Sequence, residues 1–258
     1  MSAAQVRPRT SWVDVPAGSD FTIYNLPYGV FSLPSSSAPR CGVAIGDSIL
    51  DLAAISHLLH CVQGLDARCF SESSLNAFMA HPAHVWSATR ARLTALLEDG
   101  PLGSRDLRES ASLRHRALIP RSAAQMHLPA EVADYTDFFA SREHAFNCGC
   151  LFRSPENALQ PNWLHLPVGY HGRASTVCVT GTPIVRPQGQ LQKDKTNPSL
   201  GSFFAPSQML DFECEIGVFL GGTPNAMGVP VRMQDACERI FGLVLLNDWS
   251  ARDIQAWE

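Results

Sequence analysis

The sequence lacks any apolar run approaching the roughly 20 residues that span a bilayer, so a membrane protein is not expected. Its first residues, MSAAQVRPRTSW, have no apolar centre of the signal-peptide kind, which argues against secretion. It has no basic excess: 20 Lys and Arg stand against 24 Asp and Glu, for a net charge of −4. Nucleic acids and anionic membranes select basic stripes, so neither is expected as a partner. No Cys-x-x-Cys pair occurs among the eight cysteines, and Cys148-Gly-Cys150 alone is a poor zinc signal. A long chain without a secretory signal points instead to reduced, buried thiols in a cytoplasmic protein. Internal repeats and low-complexity tracts are also missing.

What is present is an ordinary globular composition, 45% hydrophobic and 17% charged, over 258 residues. CGVAIGDSILDL (41–52) places two apolar runs around Gly46-Asp47, residues that tolerate positive φ, and predicts a hairpin. Residues 81–100 predict a helix, with Pro82 in its first turn, a stripe of Val85, Leu93, Leu96 and Leu97, and Gly100 at its end. The polar segment 99–122 suggests a boundary between a domain over 1–120 and another over 121–258. The second part carries strand-like runs, STVCVTGTPIV, LDFECEIGVFL and FGLVLLND, with a helix expected over 232–240. FGLVLLND reads as a strand buried on both faces with Asp248 at its end. The class is α+β and β-dominated.

Three segments gather chemistry-bearing residues. In DFECEIGVFL (211–220), Asp211, Glu213 and Glu215 alternate with Phe212, Cys214 and Ile216, the period of a strand with two unlike faces. Three carboxylates on one face suit a hard divalent cation, Ca²⁺ or Mg²⁺, which takes several oxygen ligands. A solvated strand face, or basic cross-strand partners, would account for them equally well. In DYTDFFASREHAFNCG (134–149), Ser141 is placed to cap a helix with His144 in its first turn, beside the positive end of the helix dipole. That position suits a neutral imidazole acting as a general base, although a structural histidine is the commoner case. Asp137 offers a further oxygen ligand from a strand or loop, and Glu143 is a first-turn carboxylate. In NDWSARDIQAWE (247–258), Asp248 ends an apolar strand where an unpartnered carboxylate would be costly. Ser250 is placed to cap a short helix that sets Arg252 and Gln255 on one face, and Arg252 could equally pair with Asp253 or Glu258.

Together DYTDF, SREHA, PVGYHGRAS, LDFECEIGVF and LNDWSARDIQAWE resemble the fumarylacetoacetase family, and the likeness already begins in SDFTIYNLPYGVFS and GVAIGDSILDL. The resemblance implies a small N-terminal SH3-like β-barrel domain over 1–120. Over 121–258 it implies the first part of a mixed β-roll catalytic domain. It makes Asp137, Glu213, Glu215 and Asp248 the ligands of one Ca²⁺ or Mg²⁺ ion and His144 the catalytic base. Arg252 and Gln255 become oxyanion-stabilising residues, and Arg153, Tyr170 and Gln255 lie around the substrate. Phe139 stands where the family has a substrate-contacting tyrosine. The implied reaction is hydrolysis of the carbon–carbon bond of 4-fumarylacetoacetate to fumarate and acetoacetate, by a cytoplasmic homodimer. The loss of that hydroxyl keeps another acylpyruvate-type hydrolase, or a decarboxylase, as the alternative. Family members continue past the motif that ends at Glu258, to a further tyrosine, a lysine, a threonine and the glutamate that orients the histidine. The expectation is that residues 1–258 alone turn over poorly, and an inactive, interaction-only form is a further alternative.

Overall fold

A computed structural model describes residues 8–257. The chain forms two compact units, one of residues 1–129 with 181–258, the other of 130–180. In the larger unit, β1 (Tyr28–Leu33), β2 (Ser36–Ile45), β3 (Ser48–Asp51), β4 (Leu118–Pro120) and β5 (Gln125–His127) make an antiparallel sheet in the order β4-β3-β2-β1-β5. The predicted hairpin is the β2–β3 connection, turning at Gly46 with φ +52°. A Cβ there would meet the backbone of Asp14 as well as a left-handed φ, so two constraints require glycine. The sheet ends on β4 and β5, which do not pair, so it is open. No closed barrel forms among the described residues.

Helix α1 (Ala83–Leu97) follows Pro82 as its N-cap, and the predicted stripe Val85, Leu93, Leu96 and Leu97 is buried. With Val30, Phe31, Val43, Ile45 and Leu50 of the sheet, these side chains form the core. Cys41 and Cys69 are buried within it, and desolvation pushes both thiols up to about 12, so they stay protonated and inert at neutral pH. The expectation of buried cysteines fails for Cys61, Cys178, Cys214 and Cys237, which are exposed; no disulfide joins any of the eight.

Residues 181–258 add short antiparallel ladders to the same unit. β8 (Gln188–Gln192) pairs with β9 (Ser202–Pro206), and β10 (Leu210–Asp211) with β13 (Ser250–Ala251). β11 (Cys214–Leu220) pairs with β12 (Ile240–Asn247). The β11–β12 ladder is anchored at one end. The Phe241 ring sits 5.2 Å from Trp86 and 5.7 Å from Phe78, and Gly222 N–H donates to the Met79 carbonyl at 2.7 Å. Two expectations fail here. FGLVLLND is not buried on both faces, since Leu245 is 81% exposed; a two-stranded ladder has no third layer to cover it. STVCVTGTPIV forms a short 3₁₀ turn, Ala174–Thr176, in place of a strand. The 232–240 helix is present as 3₁₀ structure over Met233–Arg239.

The smaller unit holds β6 (Thr136–Phe138) paired with β7 (Gly169–His171), and α2 (Arg142–Phe152) between them in sequence. No helix among the described residues is long and apolar enough to cross a membrane.

Candidate functional site

Five of the sequence-predicted residues, Asp137, Phe139, His144, Arg153 and Tyr170, belong to the smaller unit. The other five, Glu213, Glu215, Asp248, Arg252 and Gln255, belong to the larger one.

In the smaller unit the β6–β7 register puts Asp137 opposite Tyr170, and the Tyr170 hydroxyl donates to Asp137 Oδ2 at 3.0 Å. Two residues on, Phe139 N–H continues the pairing to the Val168 carbonyl at 2.9 Å, and Trp163 Nε1 donates to the Phe139 carbonyl at 2.7 Å. The chain then enters α2 as the sequence predicts: Ser141 Oγ accepts from His144 N–H at 3.3 Å, which sets the histidine in the first turn next to Glu143. The imidazole lies edge-to-face with the Phe139 ring, centroids 5.5 Å apart. Cys148, one turn further, brings its Sγ to 3.6 Å from Nε2. The i, i+4 spacing makes this contact, and the sequence reading missed it. Phe139 and Arg153 also line a small pocket of about 170 Å³ with Asn162 and Trp163. Arg153 spans the segment after α2, donating from Nε to the Asn157 carbonyl at 3.0 Å and from Nη2 to the Ala158 carbonyl at 2.6 Å. A larger depression, about 520 Å³, lies over Glu98–Glu109; its charges are matched in pairs, Arg108 with Asp99 and Arg105 with Glu109, and no predicted residue lines it.

Close packing of α2 on that segment requires Gly149, where a Cβ would collide with the backbone of Ala158. Because the obstacle is main chain, Gly149→Ala should loosen the helix that carries His144. We expect protection of the α2 amides in hydrogen exchange to fall by about 1–3 kcal/mol, the usual cost of overpacking. Unchanged protection would mean that the segment gives way without strain.

In the larger unit the alternation of DFECE is realised with an orientation that periodicity could not foretell. Asp211, Glu213 and Glu215 occupy the half-buried face, while Phe212 and Ile216 are 64% and 61% exposed. The solvated acidic face therefore does not apply to Glu213, whose side chain is 13% exposed, while that of Asp211 remains 47% exposed. Glu213 is tied down from the opposite strand. Its carbonyl accepts from Asp248 N–H at 3.0 Å, and its Oε1 accepts from Ser250 Oγ at 2.7 Å. Ser250 thus serves Glu213 and caps no helix; α3 (Arg252–Gln255) begins after Ala251 without a side-chain cap. Carboxylate oxygens of Glu215 and Asp248 come within 4.8 Å of each other, a spacing that suits a shared hard cation. The donors are all carboxylate oxygens, which fit Ca²⁺ or Mg²⁺ and not a thiophilic metal.

Arg252 does not pair with Asp253. Its Nη1 meets Glu213 Oε1 at 3.0 Å, its Nε meets Asp211 Oδ2 at 3.1 Å, and Nη1 also donates to Gln255 Oε1 at 3.2 Å. Glu258, the other partner considered, lies outside the described residues. Asp253 takes hydrogen bonds from Ser207 Oγ and Gln208 N–H, both at 2.6 Å. Burial opposes its ionisation, but those bonds and the amides of Asp253 and Ile254 prevail and hold the carboxyl below its ordinary value.

Two family models cover nearly the whole chain: Fumarylacetoacetase N-terminal over residues 24–129, and Fumarylacetoacetate (FAA) hydrolase C-terminal over 134–258. The chain belongs to the fumarylacetoacetase family. It is 54% identical over 252 residues to the fumarylacetoacetase of Caenorhabditis elegans. It is 51% identical over 249 residues to that of Rattus norvegicus and 49% over 249 residues to that of Homo sapiens. Each match takes in 96% of this chain and 58% of the relative, so the chain spans somewhat more than half the length of these family members.

Proposed function

We propose that the protein carrying these residues hydrolyses the carbon–carbon bond of 4-fumarylacetoacetate to fumarate and acetoacetate, the last step of tyrosine and phenylalanine breakdown. The observation that carries this reading is the Glu215–Asp248 carboxylate pair in the same compact unit as an Arg252–Gln255 pair, within a chain of this family. Asp137, Glu213, Glu215 and Asp248 are proposed to hold one Ca²⁺ or Mg²⁺ ion, which when bound would supply Lewis-acid polarisation of the attacked carbonyl. His144, kept in place by the Ser141 cap and the Phe139 ring, takes the proton from the attacking water. Arg252 and Gln255 then stabilise the oxyanion with charge and hydrogen bonds. Arg153 and Tyr170 contact the substrate, and Phe139 supplies an apolar wall there.

A cytoplasmic homodimer is part of the same proposal, as is the division into a domain over 1–120 and a catalytic part over 121–258. The SH3-like reading of the first rests on the family resemblance; what stands there is an open five-stranded antiparallel sheet, β1–β5. The test is loss of fumarylacetoacetate on incubation with the purified full-length protein, with Ca²⁺ or Mg²⁺ and after chelation. Turnover that disappears on chelation is expected; none with either cation sinks the assignment. Faster turnover of acylpyruvates than of fumarylacetoacetate would favour the neighbouring hydrolase, for which the missing hydroxyl at Phe139 is the argument.

A further inference from the structure

Asp211 has no place in the proposed cation group, yet its carboxylate is engaged with Arg252. The guanidinium is held on two edges, by Asp211 at Nε and by Glu213 at Nη1, and the Arg252 side chain is only 15% exposed. The main chain brings these residues together. Asp211 pairs with Ser250 across β10–β13, Arg252 N–H donates to the Met209 carbonyl at 2.9 Å, and Asp253 binds the Ser207–Gln208 segment that leads into β10.

The two carboxylates differ in what else is asked of them. Glu213 Oε1 already accepts from Ser250, and Glu213 is a proposed cation ligand. A carboxylate drawn toward a dication gives less to a guanidinium, so Glu213 alone is an unreliable anchor. A planar guanidinium gripped at Nε and Nη1 by separate carboxylates cannot swing about its own stem. We propose that Asp211 is the positioning residue of Arg252, keeping the guanidinium plane fixed while Glu213 serves the cation. This rests on the oxyanion role given to Arg252 above. It also accounts for the third carboxylate of the alternating run.

The test has two arms. In the ¹⁵N-labelled 258-residue chain, the Arg252 Nε–H resonance is assigned by its disappearance in Arg252→Lys. It should exchange slowly, persist when Ca²⁺ is added, and exchange at least about tenfold faster in Asp211→Asn, whose amide binds a guanidinium poorly. Equal protection in Asp211→Asn would overturn the proposal. In the full-length protein, Asp211→Asn should lower kcat by about tenfold with KM unchanged, and cost nothing further once Arg252→Lys is present. An equal loss in both backgrounds would show that Asp211 acts independently of Arg252. A wild-type protein without turnover would fail the hydrolase reading, while the resonance would still decide the role of Asp211. Should Asp211→Asn not fold, Asp211→Ser takes its place in both arms, with the same faster Nε–H exchange expected and equal protection again overturning the proposal.

Discussion

His144→Asn in the full-length protein should lower kcat by about 10²–10⁴-fold, the range general-base removal produces, without weakening cation binding. The expectation comes from how the ring is held. Ser141 accepts the His144 amide, Phe139 abuts the imidazole edge-to-face, and Cys148 approaches Nε2 from the next turn. These contacts fix orientation, and orientation matters little unless the ring acts on something. Asparagine keeps a polar group at a helix position where its propensity resembles that of histidine, so the backbone should survive. It offers no basic nitrogen at neutral pH. His144 is not among the proposed ligands, so calorimetric Ca²⁺ affinity serves as the control that the site remains built. Partial recovery of His144→Ala by added imidazole would identify the lost group as a base. If His144→Asn retained kcat within about tenfold of the parent, the histidine would be structural and the general-base step would have to be reassigned.

How far this site was legible in the sequence depends on the range of the interaction. The Ser141 cap, the hairpin at Gly46 and the stripe on α1 are local patterns, and each is found where the sequence puts it. The alternation in DFECE reported that three carboxylates share a face. Which face the protein covers was set by strands distant in sequence, and the covered one proved to be acidic. The same distance hid the partners of Arg252. Neighbours in sequence offered Asp253, whereas cross-strand pairing delivered Asp211 and Glu213 from about forty residues away. Ser250 was misread for a related reason: a serine before a short helix is a capping signal only when no stronger acceptor faces it, and Glu213 does. STVCVTGTPIV has the β-branched content of a strand, and propensity alone could not supply a pairing partner.

Changing Glu215 and Asp248 together to Gln and Asn should abolish the calorimetric signal of Ca²⁺ binding in the 258-residue chain, a loss of roughly 100-fold or more in affinity, since ligand charge count sets Ca²⁺ affinity. The sharper form of the prediction is a reversal of sign. Without a cation the two carboxylates repel across a gap of at most 4.8 Å on a half-buried face. Neutralising them should leave the cation-free chain as stable as the parent or more so, by about 1 kcal/mol at this exposure. With Ca²⁺ at a hundred times its dissociation constant the parent gains about 2.7 kcal/mol from binding, and the double variant gains none. Thermal midpoints measured with and without Ca²⁺ should therefore cross, the variant being equal or higher in chelator and lower in Ca²⁺. Ordinary structural acids would give no crossing, because their removal would cost the same under both conditions. A variant destabilised equally in chelator and in Ca²⁺ would return the acidic strand to a packing role and remove the cation from the proposed reaction.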